Sequence, residues 1–408
     1  MDFDWLQLTL LFASIAVGYV WASRRLDVSA GKPVKAPLLG LAALLSFAAF
    51  AWSMLTIPSE DGFLLAISLL PIQLGWLLAR FFRYHKRQER PVPVARLVAG
   101  NALVLALLLS VAFWGGEVWF RFAHDTTDSI GYTKLARRWL ERHYELNNYG
   151  FRDNVDYQPA RTDQPHRVTF LGDSFTVGHG IVDVEQRIPN RLRSQHPDWD
   201  VHVLAKNGDD TASQTDVLHL IAEHNYQLDE VVLAYCLNDV IDLLPHWREK
   251  FEPARIAAQE RFGIFDSSYL LDMAYYRVAI ARLLGAGDYF SFVGEAYQGT
   301  MWEQQKQRLR DLRKAVEDQG GRLSVVTWPF LNALDSDYAH TTIHDTLAAF
   351  WQEEGVQHLD LLPHLRDHAP EGLVVNSADA HPNERANELA AEVLGPWLEA
   401  VIRTPRSK

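Results

Sequence analysis

Cysteine is almost absent from this sequence of 408 residues, since Cys236 is the single example. One thiol cannot form a disulfide within the chain. Cys236 lies in the apolar run 231–237, where it is predicted to pack as a small hydrophobic residue. The residue spacings typical of zinc sites, phosphate loops and dinucleotide sites are also missing. We therefore expect no cofactor and no metal.

Charge is absent from four long apolar segments near the start of the chain, at residues 5–23, 36–57, 63–79 and 97–115. Each is close to the ~20 residues that a helix needs to cross a hydrocarbon core. A cleaved secretory signal is not expected, because the chain begins Met1-Asp2-Phe3-Asp4 rather than with basic residues. The pattern predicts four transmembrane helices over residues 1–116. The alternative is four buried helices of a soluble protein.

Basic residues before position 117 are confined to two loops, 24–35 and 80–96. The N-terminus and the loop at 58–61 contain none. Lysine and arginine in short loops mark the cytoplasmic side of a membrane. We predict a bacterial inner-membrane protein with both termini and the C-terminal domain on the periplasmic side.

The net charge of −12 is unevenly divided along the chain. Residues 1–116 hold ten basic and six acidic residues, a net charge of +4, so the remaining residues carry −16. An acidic region of this kind is repelled by nucleic acid. We expect the lipid bilayer as a partner of the first region and no nucleic acid as a partner of the second.

An alternation of short apolar runs and helical stretches follows residue 165. The runs predicted as strands are 167–171, 201–205, 230–236, 322–328 and 357–361. Alternating strands and helices indicate an α/β fold, here a three-layer α/β/α domain over 166–408 with a five-stranded parallel sheet. Residues 117–165 are predicted to connect this domain to the membrane region. A helical insertion spans about 243–300, and its stretch 269–284 is either an edge helix or a lid.

Polar residues follow the predicted strands, where sites form in parallel sheets. Ser174 follows the first strand as a candidate nucleophile, and His381 and Asp379 lie beyond the fifth as its base and orienting acid. Oxyanion donors would be the backbone N–H groups of Ser174 and Gly208 and the side-chain amide of Asn238. The alternative for Ser174 is an ordinary turn, and that for Asp379 is a turn cap.

His179 lies shortly after the candidate nucleophile. It is predicted to be a solvated loop histidine rather than a substrate contact. The other histidines considered, His124, His340, His344 and His364, lack the spacing of metal ligands.

Four short sequence motifs of this chain resemble the conserved motifs of the SGNH/GDSL hydrolase family. The matching residues are Gly172-Asp173-Ser174, Asn207-Gly208, Asn238-Asp239 and Asp379-Ala380-His381. The resemblance covers about 147–394, and its stretches 148–152 and 328–330 are similar to a membrane-tethered bacterial subgroup. Two positions depart from the family pattern: Cys236 replaces a glycine, and Ala378 stands where the acid commonly lies. The resemblance implies a serine hydrolase with a Ser–His–Asp triad.

A membrane-anchored serine esterase is the function expected from this combination. Its substrates would be acyl esters, O-acetyl esters above all, of envelope glycans or lipids. One alternative is an O-acyltransferase to an exported polysaccharide, which would need a membrane-protein partner. Another is a non-catalytic scaffold or glycan-binding domain in an envelope complex.

Overall fold

The computed structural model describes residues 60–86, 93–164, 166–261, 263–280, 282, 292–334 and 337–405. It divides the chain into two compact units. The first contains the residues up to His124 together with Arg261–Tyr275, and the second contains Asp125–Glu260 and Tyr276–Lys408. Each unit is considered by itself.

The first unit contains two long apolar helices, α1 at Glu60–Lys86 and α2 at Val94–Val118. Within the described part of the chain, these two helices are long and apolar enough to cross a membrane, by length and composition. They contain the predicted segments 63–79 and 97–115. The predicted segments 5–23 and 36–57 lie outside the described residues.

The second unit is built on a five-stranded parallel sheet, and this prediction is confirmed. Its strands are β1 His166–Gly172, β2 Trp199–Ala205, β3 Glu230–Cys236, β4 Arg322–Trp328 and β5 Gln357–Asp360. The strand order is β2-β1-β3-β4-β5. Each of the first four is buried along almost its whole length, which explains why each reads as an apolar run.

Helices precede, separate and follow these strands along the chain, and the two helices within Arg261–Tyr275 belong to the first unit. The helices are α3 Lys134–His143, α4 Ser174–Val177, α5 Ile188–Gln195, α6 Thr211–Glu223, α7 Trp247–Gln259, α8 Ile264–Ser267, α9 Tyr269–Tyr275, α10 Gly299–Asp318, α11 Thr341–Glu353, α12 Leu362–Leu365 and α13 Glu384–Arg403. The predicted helix at 269–284 differs from what is observed, because α9 ends at Tyr275 and the backbone is π-helical over Tyr276–Ile280.

The register of the central strands brings their carboxyl ends level. Gly172 at the end of β1 pairs with Ala205 on one side and with Ala234 on the other. The loops that follow β1, β2 and β3 therefore emerge side by side at one edge of the sheet. Cys236 ends β3 fully buried in the hydrophobic core, as expected of a small apolar side chain.

A two-stranded antiparallel hairpin lies between β5 and α13. Its strands are β6 Val374–Asn376 and β7 Asp379–Pro382, and they form a sheet separate from the five-stranded one. The sequence pattern did not predict this hairpin, which carries both Asp379 and His381.

Candidate active site

Ser174 is the first residue of α4, directly after β1. Asp173 caps this short helix, with its side chain accepting a hydrogen bond from the Phe175 N–H at 2.9 Å. A β-carbon on Gly172 would collide with the Thr176 side chain and lie 3.0 Å from the Ala234 carbonyl oxygen. Glycine is therefore needed where the strand turns sharply into the helix.

Ser174, His381 and Asp379 form a continuous chain of hydrogen bonds. The Ser174 Oγ lies 2.7 Å from His381 Nε2, and His381 Nδ1 lies 2.6 Å from Asp379 Oδ1. In the neutral imidazole with its proton on Nδ1, that N–H donates to the carboxylate and Nε2 accepts from the serine hydroxyl. The structure thus brings Ser174 together with Asp379 and His381, which lie about 200 residues later in the sequence.

The spacing of two residues between Asp379 and His381 follows from their place in β7. Successive side chains of a strand point to opposite faces, so residues i and i+2 share one face. A carboxylate two positions before the histidine can therefore reach the imidazole directly. The family's common acid position holds Ala378, and the backbone of Ala378 instead accepts a hydrogen bond from the Ser129 N–H at 3.1 Å.

The second oxygen of Asp379 is held by a residue that the sequence did not indicate. The Thr127 hydroxyl donates to Asp379 Oδ2, and both side chains are buried. Burial alone would raise the pKa of Asp379, but the positive charge and hydrogen bond of His381 lower it to about 2. For His381, burial lowers the pKa, but Asp379 outweighs that effect and raises it above its usual value. Asp379 is consequently ionised at neutral pH.

His179 is buried, with 3% of its surface exposed, so the prediction of a solvated loop histidine is wrong. Its Nδ1 lies 3.3 Å from the Asn207 side-chain amide, and its Nε2 lies 3.0 Å from the Asp128 carbonyl oxygen. Its ring centroid is 4.5 Å from that of His381. Burial and the neighbouring His381 lower the pKa of His179 to about 4, which keeps it neutral beside the triad.

Gly208 and Asn238 line the same cavity as Ser174. Gly208 has a φ of +81°, which an L side chain rarely adopts, and no atom lies within 4 Å of where its β-carbon would be. The first N–H groups of a helix have no partner inside the helix, so the Ser174 N–H is available to a ligand. The three residues expected to hold an oxyanion therefore line one cavity.

Arg152 fastens the loop that follows the nucleophile helix. Its guanidinium donates to the carbonyl oxygens of Gly178 and Ile181, both at 2.6 Å, and to that of Val177 at 3.2 Å. Burial lowers the pKa of Arg152 to about 10, so it stays positively charged at neutral pH. Three charge-assisted hydrogen bonds fix this loop before any ligand binds.

Two further carboxyl groups, Asp173 and Asp239, are buried in this part of the unit. Burial raises the pKa of Asp173 to about 6. Burial and the charge of Asp173 raise the pKa of Asp239 well above its usual value.

One group of possible metal ligands is found among the described residues: His179, Asp379 and His381, whose ligand atoms lie within 4.8 Å of one another. The ring nitrogens of His381 are both engaged, one with Asp379 and the other with Ser174. A metal at this position would have to displace the hydrogen bonds of the triad.

No protein-family model matches this chain, and no curated protein matches it. The solved structures to which it is similar include lipolytic proteins of the G-D-S-L family, an esterase and a lipase. An esterase from Pseudoalteromonas sp. is 11% identical, with a TM-score of 0.36, over 59% of this chain and 100% of that one. An extracellular lipase from Streptomyces rimosus is 16% identical, with a TM-score of 0.36, over 58% of this chain and 99% of the lipase. A G-D-S-L family protein from Veillonella parvula is 14% identical, with a TM-score of 0.35, over 59% and 100% of the two chains. These values are too low to carry a functional assignment, which rests on the site geometry instead.

Proposed function

We propose that this chain is a serine ester hydrolase that forms an acyl-enzyme on Ser174. The observation that carries the proposal is the continuous chain of hydrogen bonds from Asp379 through His381 to Ser174, whose two distances are 2.6 and 2.7 Å. A serine hydroxyl is a weak nucleophile unless an oriented base accepts its proton. In this chain His381 is the base and Asp379 is the group that orients it.

In the first half-reaction, Ser174 Oγ attacks the ester carbonyl carbon while His381 Nε2 takes the hydroxyl proton. The tetrahedral intermediate then collapses, the bond to the alcohol oxygen breaks, and His381 gives its proton to the departing alkoxide. In the second half-reaction His381 takes a proton from a water molecule, which attacks the acyl carbonyl carbon. The bond between that carbon and Ser174 Oγ then breaks, and His381 returns the proton to Ser174. Asp379 stays ionised throughout and stabilises the imidazolium form of His381.

Negative charge develops on the carbonyl oxygen during each attack. The backbone N–H groups of Ser174 and Gly208 and the amide of Asn238 are the donors proposed for it. Each such donor contributes ~3 kcal/mol of transition-state stabilisation in other acyl-transfer enzymes. The catalytic cycle thus combines nucleophilic attack by Ser174 and then by water, proton transfer through His381, and this electrostatic stabilisation.

A fluorophosphonate probe is expected to label the wild-type protein and to leave Ser174→Ala unlabelled. The probe reacts covalently with an activated serine oxygen, so labelling reports the chemistry proposed for Ser174. The measurement is in-gel fluorescence of the purified full chain, together with hydrolysis of p-nitrophenyl acetate. Ser194→Ala is a suitable control, because Ser194 is exposed on α5 and does not line the cavity.

Absence of labelling and of ester hydrolysis in the folded wild-type protein would favour the non-catalytic scaffold instead. A transferase would label in the same way, since hydrolysis and transfer share the acyl-enzyme. Faster acyl release in the presence of a sugar hydroxyl and a membrane partner would distinguish the transferase.

We further propose that residues 1–116 anchor the enzyme in a bacterial inner membrane with the catalytic unit outside. The apolar character of α1 and α2 supports an anchor, and the basic loops 24–35 and 80–96 support the orientation. An enzyme held there meets envelope glycans and lipids. Their O-acyl esters, O-acetyl esters in particular, are the proposed substrates.

A reporter fused after Lys408 tests this topology. We expect alkaline phosphatase, which folds only outside the cytoplasm, to be active, and a green fluorescent protein exported in an unfolded state to be dark. The reverse pattern would contradict the proposed orientation and the envelope substrates with it.

A further inference from the structure

The cavity above Ser174 is much larger than a short acyl group requires. Its volume is about 1,090 Å³, at the upper end of the ~300–1,000 Å³ typical of small-molecule sites. An acetyl group would occupy a small fraction of that space. The remaining volume is available to the alcohol half of the ester.

One part of the cavity wall is aromatic. Trp247 and Phe251 lie one turn apart on α7, with ring centroids 4.9 Å from each other, and both are half-buried. Tyr276 and Phe330 also line the cavity. Partly exposed aromatic faces of this kind offer flat apolar surface to a ring stacked on them.

Polar groups from several elements also line the cavity, beside apolar residues such as Ile130, Ile241 and Val374. The polar groups include Asn207, Asp209, Asp210, Asn332, Glu371 and Asn376. A long acyl chain would supply no hydrogen-bond donor to an acceptor such as Asp209 Oδ2, and a buried acceptor without a donor costs free energy. A ring with an apolar face and several hydroxyl groups fits both parts of the wall.

Asp209 has an acceptor atom ready for such a hydroxyl. Its Oδ2 is buried and has no hydrogen-bond partner among the described residues, although Asp209 lines the open cavity. Burial raises the pKa of Asp209 to about 6, so the group is mainly ionised at pH 7 and can only accept hydrogen bonds. A buried acceptor without a partner is stabilised when a ligand supplies a donor.

We infer that the alcohol half of the ester is a sugar, whose ring stacks on Trp247 and whose hydroxyl donates to Asp209. This inference rests on the proposed esterase function and selects glycan esters over lipid esters. Asp209 is a specificity-determining residue in this assignment, and it takes no part in proton transfer between Ser174 and His381.

The inference can be tested with two acetate esters that have the same connectivity around the ester group. In 6-O-acetylglucose and cyclohexylmethyl acetate the acetylated CH₂ is attached to a six-membered ring, but only the sugar ring bears hydroxyl groups. The wild-type full chain is expected to have the higher kcat/KM for 6-O-acetylglucose. Asp209→Leu should lower the ratio of the two kcat/KM values about tenfold or more, as loss of a hydrogen bond to a charged group would.

Matched variants separate this effect from general damage. Asp209→Asn keeps an acceptor oxygen and should retain a ratio between those of the wild type and Asp209→Leu. Asp216→Leu, on an exposed position of α6 outside the cavity, should leave the ratio unchanged. Trp247→Leu should lower kcat/KM for both ring esters relative to ethyl acetate, which has no ring to stack.

Preference of the wild-type enzyme for cyclohexylmethyl acetate, or a ratio that Asp209→Leu leaves within twofold, would overturn the sugar assignment. The wild-type comparison stands even if a variant fails to fold. Hydrolysis of p-nitrophenyl acetate and fluorophosphonate labelling are measured alongside. Loss of those two activities in the wild type would contradict the esterase function itself, whereas their presence with the wrong preference contradicts only the sugar.

Discussion

Replacement of His381 by alanine is expected to lower kcat for an acetate ester by ~10⁵-fold to 10⁶-fold, as loss of the base does in other triad enzymes. Without the imidazole 2.7 Å from Ser174 Oγ, the serine loses the base that is proposed to take its proton. The measurement is steady-state hydrolysis of p-nitrophenyl acetate by the purified full chain, with circular dichroism to establish that the variant folds.

His364→Ala provides the control for this substitution. His364 is exposed on α12 and does not line the cavity, so its loss should leave kcat unchanged. If His381→Ala kept more than about a tenth of the wild-type kcat, the base in the mechanism would have to be another group.

Replacement of Asp379 by asparagine is expected to lower kcat by ~10⁴-fold, the effect seen when a triad loses its acid and the histidine tautomer is no longer fixed. The pH dependence should change in a defined direction. Activity requires neutral His381, so in the wild type kcat/KM falls as pH decreases through the raised pKa of His381, with a midpoint above the usual ~6.5. Asparagine removes the charge that raises this pKa, while burial still lowers it, so the midpoint should move to lower pH.

Asp360→Asn is a matched control, because Asp360 also pairs with a histidine in the same unit. Its Oδ1 lies 2.8 Å from His344 Nδ1, and neither residue lines the cavity. This substitution should lower the melting temperature without a comparable loss of kcat. If Asp379 were only a turn cap, Asp379→Asn would behave like this control, with a stability loss of about 1 kcal/mol and a nearly normal kcat.

The central sheet could be predicted from the sequence because its strands are buried on both faces. A strand such as β3, Glu230–Cys236, is enclosed along its whole length and therefore reads as an uninterrupted apolar run. The predicted bounds of β3 and β4 agree with the observed ones, and β5 ends one residue earlier than predicted. Rules for parallel sheets then placed the loops with Ser174, Gly208 and Asn238 at one edge.

The surroundings of the triad could not be predicted in the same way. Thr127 and Asp379 are 252 residues apart in the chain, and no local periodicity relates two positions at that distance. The hairpin strands have three and four residues, too few for an alternating pattern to stand out. His179 follows Gly178, which ends α4 in a left-handed conformation, and such a loop position gives no sign of burial.

The contacts of Arg152 could not be predicted from the sequence either. Its stretch, 148–152, was singled out by resemblance to a membrane-tethered subgroup, but nothing in the sequence indicated what the guanidinium contacts. Its carbonyl partners lie 25 to 29 residues later in the chain. Only the folded arrangement shows that this charge holds the loop behind the nucleophile.

The acid and the base share strand β7, whereas the nucleophile begins helix α4, which follows β1 of the five-stranded sheet. The distance between Asp379 and His381 is thus set by the repeat of one strand, and it persists if the hairpin shifts as a whole. The contact between His381 and Ser174 joins the hairpin to the helix that follows β1, so it depends on the position of the hairpin relative to that helix. The contact between acid and base is therefore held within one strand, whereas the alignment of His381 with Ser174 depends on contacts between segments, such as the hydrogen bonds of Ser129 to the hairpin backbone.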